Sequence, residues 1–373
     1  MFLALREILR AKARFGMLIA AVGLLVFLIL TQQALQDGLL TSFVGGIERQ
    51  SAPVLVYSVD GQRTLQGSVV TPDLQAKVEA VDEVGSSGRI GQGTFTGTID
   101  GGEQVDVAVV GFDDAKLGAP ESLASGRLPD GPGEAVGSSS DFSIGDQVEI
   151  VPAGDAKPVE LEVVGLADDV QIQVTPTLYV PWKGYEAAVR AANPDATAVL
   201  PNAIGVRPRD GVTADQLVRA VNDADQQADA LTRQAAADEA PGVAQVRQSF
   251  QVIFLLYGLV VPLVTGLFFL IITFQKSAAL TLLRAIGARG SVLVRSLLVQ
   301  VLIVIGGGLI VGTLLYLPLT QAQLGSISLR FDPGAVVFWS VLLLVLGLLS
   351  ALAAARRVLA IDPIEATVGG GQR

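Results

Sequence analysis

Few residues in this chain have the type and spacing that chemistry needs. The 373 residues include no Cys and no His. That removes zinc fingers, thiol redox sites, Cys or His nucleophiles and a His general base. No G-x-x-x-x-G-K-[ST] run occurs, so no loop here is built to cradle a nucleotide's phosphates. Gly85, Gly88, Gly91, Gly93 and Gly97 crowd together without the G-x-G-x-x-G spacing, and a loop is the expected structure there. No Ser stands in a G-x-S-x-G elbow. The 36 carboxylates are scattered, and no fixed spacing argues for a glycosidase pair. These features predict a chain that is not an enzyme and holds no metal or cofactor of its own. The remaining candidates are cationic: Arg284 and Arg289, flanking Ala285, Ile286, Gly287 and Ala288.

The elements that must position these groups show in where charge is missing. Charge is absent from Phe15 to Gln36, and again between Arg247 and Lys276, Arg295 and Arg330, and Asp332 and Arg356. Each gap is at least the roughly 20 residues that cross about 30 Å of hydrocarbon as helix. The predicted order is a cytoplasmic amphipathic helix (1–14), a first span (15–36) and a large exterior block (37–248). A second span (249–275), a cytoplasmic loop (276–295) and a third span (296–318) follow. An exterior loop (319–333), a fourth span (334–355) and a cytoplasmic tail (356–373) complete it. Residues 37–250 carry 14 basic and 32 acidic side chains, and the rest carry 12 and 4. The chain is electrically two objects. A net charge of −10 and a pI near 4.6 argue against a nucleic-acid partner, which needs a basic stripe.

Short basic loops stay in the cytoplasm. Arg6, Arg10, Lys12 and Arg14 precede the first span; Lys276, Arg284, Arg289 and Arg295 lie between the second and third; Arg356, Arg357 and Arg373 follow the fourth. Four spans put all three groups on one side, with both termini inside the inner membrane and the acidic block outside. Thr31 to Gln36 makes a poor small-residue cleavage site, so the first span reads as a retained anchor. Phe2, Leu5, Ile8 and Leu9 share one helical face and Arg6, Arg10 and Arg14 another, a pattern suited to membrane lipids at the inner interface.

The exterior block reads as mixed α and β. Val54 to Tyr57 is an apolar run after Pro53. Thr71-Pro72-Asp73 opens a helix with a Thr cap, Pro at the first helical position and an acid at the positive end of the dipole. Leu74, Val78, Val81 and Val84 supply its apolar stripe. Val105, Val107 and Val109 alternate as in a strand. Gly145-Asp146 makes a turn ahead of the alternating runs 148–151 and 159–165, a hairpin region. A second helix starts at Thr213, and its polar continuation, 222–240, is expected to extend toward the second span. Inside the spans, Pro262 marks a kink, and Gly308 and Gly312 form a small-xxx-small face for close helix packing.

The segment Thr281 to Arg289, reading TLLRAIGAR, and the closing Ala354 to Ala366, ending IDPIEA, resemble signatures of the FtsX/MacB permease family of ABC transporters. Gly126-Arg127-Leu128-Pro129, Gly145-Asp146 and Val163-Val164-Gly165 resemble that family's exterior core domain. The resemblance implies a four-helix membrane protein with an extracytoplasmic α+β ectodomain of MacB core-domain type. It implies a separate ABC ATPase in two copies, carrying the ATP and Mg, and a second copy of the permease. Arg284 to Arg289 would then be the coupling loop, with Gly287 and Gly290 permitting a tight turn and Ile286 entering a groove on the ATPase. Met1 to Ile8 resembles the DevC/HrtB-like heme-export branch, which makes heme a candidate cargo. With no His, its iron would need Glu or Tyr ligands or none. Glu48, about three helical turns beyond the first span, and Tyr257 near the outer end of the second are the candidate cargo-cavity residues. The implied function is ATP-driven extrusion of a hydrophobic or amphiphilic cargo. The alternatives are an FtsX-like transmitter that activates an exterior hydrolase, and a lipoprotein-release permease.

Overall fold

A computed structural model describes residues 11–154, 156–275, 290–321, 323–324, 327–329 and 331–359. They fall into two compact units. One is helical, comprising Met1–Gln36, Gln248–Ala322 and Leu329–Arg373; the other is α+β, comprising Asp37–Arg247 and Gln323–Ser328.

Among the described residues four helices are long and apolar enough to cross a membrane: α1 (Lys12–Glu48), α7 (Val243–Gln275), α8 (Gly290–Tyr316) and α9 (Pro333–Leu359). At 1.5 Å per residue α1 is about 55 Å long, far more than the hydrocarbon thickness. Its charge-free stretch ends near Gln36, and the remaining turns belong to the α+β unit. Likewise α7 begins at Val243, before the span expected from 249. The membrane limits the apolar stretch but does not stop a helix, because the backbone bonds continue in water.

The α+β unit is built on β1 (Val54–Ser58), β2 (Val84–Ile99), β3 (Gln104–Phe112), β4 (Ser125–Gly126), β5 (Glu134–Ser138), β6 (Gln147–Ile150), β7 (Val159–Ala167), β8 (Thr177–Pro181), β9 (Ala203–Pro208) and β10 (Ala228–Thr232). They form one mixed sheet ordered β10-β1-β9-β2-β3-β8-β5-β7-β4, with β6 bonded to both β2 and β7. The expected hairpin is present: β6 and β7 pair antiparallel from Gln147↔Glu162 to Ile150↔Val159. Helices α2 (Pro72–Glu79), α3 (Ala115–Gly118), α4 (Trp182–Ala192), α5 (Ala214–Ala224) and α6 (Arg233–Asp238) complete the unit. Gln323–Leu324 and Ile327–Ser328 add a two-residue ladder, β11 and β12.

Strand β1 is buried along its whole length. Alternation sends Val54 and Val56 to one side, among Leu74 and Val78 of α2 and Leu217 and Val221 of α5. Leu55 and Tyr57 go to the other, where the core also contains Val44 and Ile47 of α1 and Val243 of α7. Thr71 caps α2 by accepting from the Leu74 amide at 3.2 Å, and Thr213 and Gln216 close a full capping box on α5.

Three local expectations are corrected. The glycine cluster 85–97 is not a loop but lies inside the sixteen-residue β2. Its glycines serve close packing: a Cβ on Gly91 would come 2.3 Å from the Tyr185 ring, and one on Gly111 of β3 equally close to Tyr185 Cβ. Helix α2 stops at Glu79, so Val81 follows it and Val84 starts β2. The polar stretch 222–240 continues α5 only as far as Ala224. It contains β10, which pairs with β1 from Val54↔Thr232 to Ser58↔Ala228. The Asn222 side chain drives the change, accepting from the Ala230 amide at 2.7 Å and donating to its carbonyl at 3.1 Å. These two bonds satisfy an edge strand that would otherwise be open.

Candidate functional site: a clamp on the stalk helix

The last turns of α1 form a stalk within the α+β unit, and one loop, 168–176, closes on it. The contact requires Gly45 and Gly46. A Cβ on Gly45 would lie 2.3 Å from the Asp169 carbonyl oxygen; one on Gly46 would lie 2.5 Å from Ile172 Cγ1 and 2.6 Å from Tyr179 Oη. With no side chains in the way, backbone meets backbone. The Gly46 amide donates to the Gln171 carbonyl at 2.8 Å, while the Gln173 and Val174 amides donate to the Phe43 and Ser42 carbonyls at 2.9 and 2.8 Å.

A shell of polar groups holds the loop in turn. The Tyr179 hydroxyl, fully buried, donates to the Val170 carbonyl at 2.9 Å; burial pushes its pKa well above the ordinary tyrosine value. Asp141 Oδ2 accepts from Gln171 Nε2 at 2.5 Å, Ser138 Oγ at 2.5 Å and Ser140 Oγ at 2.9 Å. Thr177 Oγ1 accepts from the Ile172 amide at 3.0 Å. Arg49 reaches Asp169 at 3.7 Å. Past the stalk, Ser51 fixes the chain twice, its amide to the Ala119 carbonyl and its hydroxyl to that of Ala115, both at 2.9 Å. Arg233 bonds the Gln50 carbonyl and pairs with Glu121.

The start of α7 packs beside this stalk. Gly242 has φ +93°, which turns the chain into the helix, and its position faces the Phe43 ring at 3.5 Å. Asp238 pairs with Arg247 one turn into the helix. Glu48, a candidate cargo residue, stands half-buried among the charges of Asp238, Arg49, Arg247 and Asp169. It is part of a charge network of the α+β unit. Tyr257, the other candidate, belongs to the helical unit and packs partly buried against its core.

Within the helical unit, α1 and α8 meet glycine to glycine. A Cβ on Gly308 would lie 2.5 Å from Val22 Cγ1, and one on Gly312 would lie 2.6 Å from Val26 Cβ and 2.7 Å from the Gly23 carbonyl. Pro262 sits inside α7, and its carbonyl accepts from the Ser350 hydroxyl of α9 at 2.9 Å. The hydroxyl reaches it over Gly266, where a Cβ would stand 2.1 Å from Ser350 Oγ. Arg284, Ala285, Ile286, Gly287, Ala288 and Arg289 lie outside the described residues, as do residues 1–10 and the closing DPIEA.

Among the described residues no group of three or more acidic side chains could hold a metal ion. Within the α+β unit, the last turns of α1 are held by the 168–176 loop through backbone bonds. Sequence reasoning missed this clamp. Its one trace is the Gly45-Gly46 pair near the end of an otherwise helical run, and the partner loop lies more than 120 residues away.

No known family profile matches the sequence. Over 377 aligned residues, covering 99% of both chains, it is 25% identical to an uncharacterized ABC transporter permease of Mycobacterium tuberculosis. It is 28% identical over 114 residues, 31% of this chain and 32% of the other, to a Staphylococcus epidermidis protein named as a hemin transport system permease, HrtB. The periplasmic region of MacB from Actinobacillus actinomycetemcomitans aligns with 50% of this chain and 92% of its own at 12% identity, with a TM-score of 0.35.

Proposed function

We propose that this chain, an ABC transporter permease of the FtsX/MacB type, couples a separate ABC ATPase to motion of its α+β domain and so extrudes a hydrophobic or amphiphilic cargo. One observation carries the reading: α1 runs unbroken from a membrane-length apolar stretch into a stalk that the α+β domain grips at Gly45 and Gly46. A helix held at that end can pass on displacement imposed elsewhere along it.

In this reading both termini and the 276–295 loop are cytoplasmic, and the domain faces outward from the inner membrane. Two permease chains and two ATPase subunits assemble, with Arg284 to Arg289 docking on the ATPase. The glycine seam at Gly308 and Gly312 holds α1 and α8 together while load is applied, and Pro262 gives α7 a bend point. Heme is the first cargo to test, since the HrtB relative is named for hemin. Glu48 and Tyr257 are the residues to test as its contacts.

The experiment is co-purification of the chain with an ABC ATPase from its host, followed by ATP hydrolysis measured with heme, lipopeptides and amphiphilic drugs. The chain alone should hydrolyse no ATP. Cargo-stimulated hydrolysis by the complex supports extrusion; hydrolysis indifferent to every cargo but required for an exterior hydrolase supports a force transmitter. Ile286→Asp should bury an unpaired carboxylate in the ATPase groove. At a cost of about 3 kcal/mol it weakens association roughly a hundredfold. Full co-purification of a normally inserted Ile286→Asp variant would remove the coupling assignment.

A further inference from the structure

Three carboxylates and two guanidiniums face one another where α1 ends. Glu48 is the last residue of α1, Asp169 comes from the 168–176 loop and Asp238 ends α6. The cations are Arg49, next to Glu48 in the chain, and Arg247 of α7. All five belong to the α+β unit. Both cations already have acidic partners. Arg247 pairs with Asp238, which also accepts from Gln234 Nε2 at 3.2 Å. Arg49 pairs with Asp169 at 3.7 Å. Glu48 is in neither pair, so it is the carboxylate left over.

Most of what surrounds Glu48 weighs against its charge. It is half-buried, and ionisation there forfeits hydration. It closes a helix with no basic residue in the last turn, at the negative end of the macrodipole. Asp238 and Asp169 repel it. Arg49 and Arg247 attract it, but each is shared with another acid, and the Arg49 side chain is 58% exposed, so water screens its help. Burial first, and then Asp238, lift the Glu48 carboxyl above its ordinary value of 4.5. The chain has no His, the side chain that ordinarily changes charge between about pH 5 and 8.

We propose that Glu48 is a proton-binding site of the α+β unit, and that its protonation steadies the end of the stalk against α6 and the 168–176 loop. The neutral form feels no repulsion from Asp238 or Asp169 and leaves both arginines to their partners. Linkage sets the sign. A carboxyl held higher in the folded than in the unfolded chain binds its proton more tightly when folded. Stability therefore falls as pH rises from about 4.5 through the folded value, and the full cost is present above it. Glu134 acts in the opposite sense and below 4.5, so the two windows do not overlap. The site rests on the proposed outward orientation for its purpose: the proton would come from the exterior, and acid outside would firm the domain's hold on the stalk.

The test is thermal unfolding of the α+β domain of the full chain in lipid nanodiscs, without ATP or cargo, from about pH 5 to about pH 8. Glu48→Gln keeps the shape of the side chain and cannot ionise. Its unfolding temperature minus that of the unaltered chain should grow by about 2 °C or more from the acid end to the basic end. The Glu48 midpoint in the unaltered chain, read by carboxyl NMR with Glu48→Gln as the assignment control, should lie above 4.5. Asp238→Asn removes a repelling charge and frees Arg247 for Glu48, so it should lower that midpoint. A difference between Glu48→Gln and the unaltered chain that does not change with pH overturns the proposal. So does a midpoint at or below 4.5, a readout that stands even if Glu48→Gln does not fold. Because neither measurement uses nucleotide or cargo, failure here leaves the permease reading standing. A failed ATPase assay likewise leaves the proton site standing.

Discussion

Gly312→Ala adds one methyl group to a seam that has no room for it. The new Cβ would lie 2.6 Å from Val26 Cβ and 2.7 Å from the Gly23 carbonyl oxygen, against about 3.5–4.0 Å for relaxed carbon contacts. One obstacle is backbone, so no rotamer change relieves it, and α1 and α8 must separate by roughly 1 Å. A gap of that size forfeits up to about half of each contact's attraction. Over some 20 atom pairs at about 0.15 kcal/mol, that is roughly 1–1.5 kcal/mol. Residual strain brings the cost to about 1–3 kcal/mol. Lipid offers no hydrophobic compensation, because its tails are as apolar as the helices. Alanine also favours helix by about 1 kcal/mol, so the comparison needs a control with the same gain. Gly306 in the same helix provides it, having nothing within 4 Å of its Cβ position. Unfolding of both variants by SDS titration of the full chain should place Gly312→Ala about 1–3 kcal/mol below Gly306→Ala. Agreement of the two within about 0.5 kcal/mol would mean the seam is not close-packed, and the reasoning fails.

Three further outcomes are expected. Asn222→Ala strips both bonds from Ala230 at the sheet edge and should cost about 1–3 kcal/mol in thermal unfolding of the α+β domain, whereas exposed Asn193→Ala should not. The Arg127 guanidinium, helped by the Asp130 amide, holds the Glu134 carboxyl down at about 2 from its usual 4.5. A depressed carboxylate stabilises above its unfolded pKa, and that contribution disappears as pH falls from about 4.5 toward 2. Arg127→Ala should therefore return the Glu134 midpoint toward 4.5, read by NMR of the side-chain carboxyl; an unmoved midpoint contradicts the assignment. Since the chain has no Cys, Ser86→Cys at an exposed position should label with an impermeant maleimide in intact cells, after outer-membrane permeabilisation where needed. Ser291→Cys should not, and the reverse pattern would invert the topology.

The spans were readable because a bilayer imposes one rule on every residue that crosses it, and gaps in charge report it directly. Capped helices were readable for a similar reason: Thr71 and Thr213 act on neighbours three residues away. The glycines of β2 misled, since glycine disfavours strands and the reason for Gly91, the Tyr185 ring, lies about 90 residues downstream. β10 was hidden among Gln, Asp and Ala because its strand is selected by pairing with β1 and by Asn222, not by propensity. The clamp was hidden for the strongest reason. Its bonds are backbone to backbone, and side-chain types carry no record of them beyond two glycines.

Strand β2 joins the two ends of the sheet, pairing with β9 over its first half, with β6 at its last three residues and with β3 over the span between. Sixteen residues of strand measure about 50 Å, with a second ladder at each end where β9 and β6 pair. Angles at one end become distances at the other: a rotation of about 10° would sweep the far tip through roughly 9 Å.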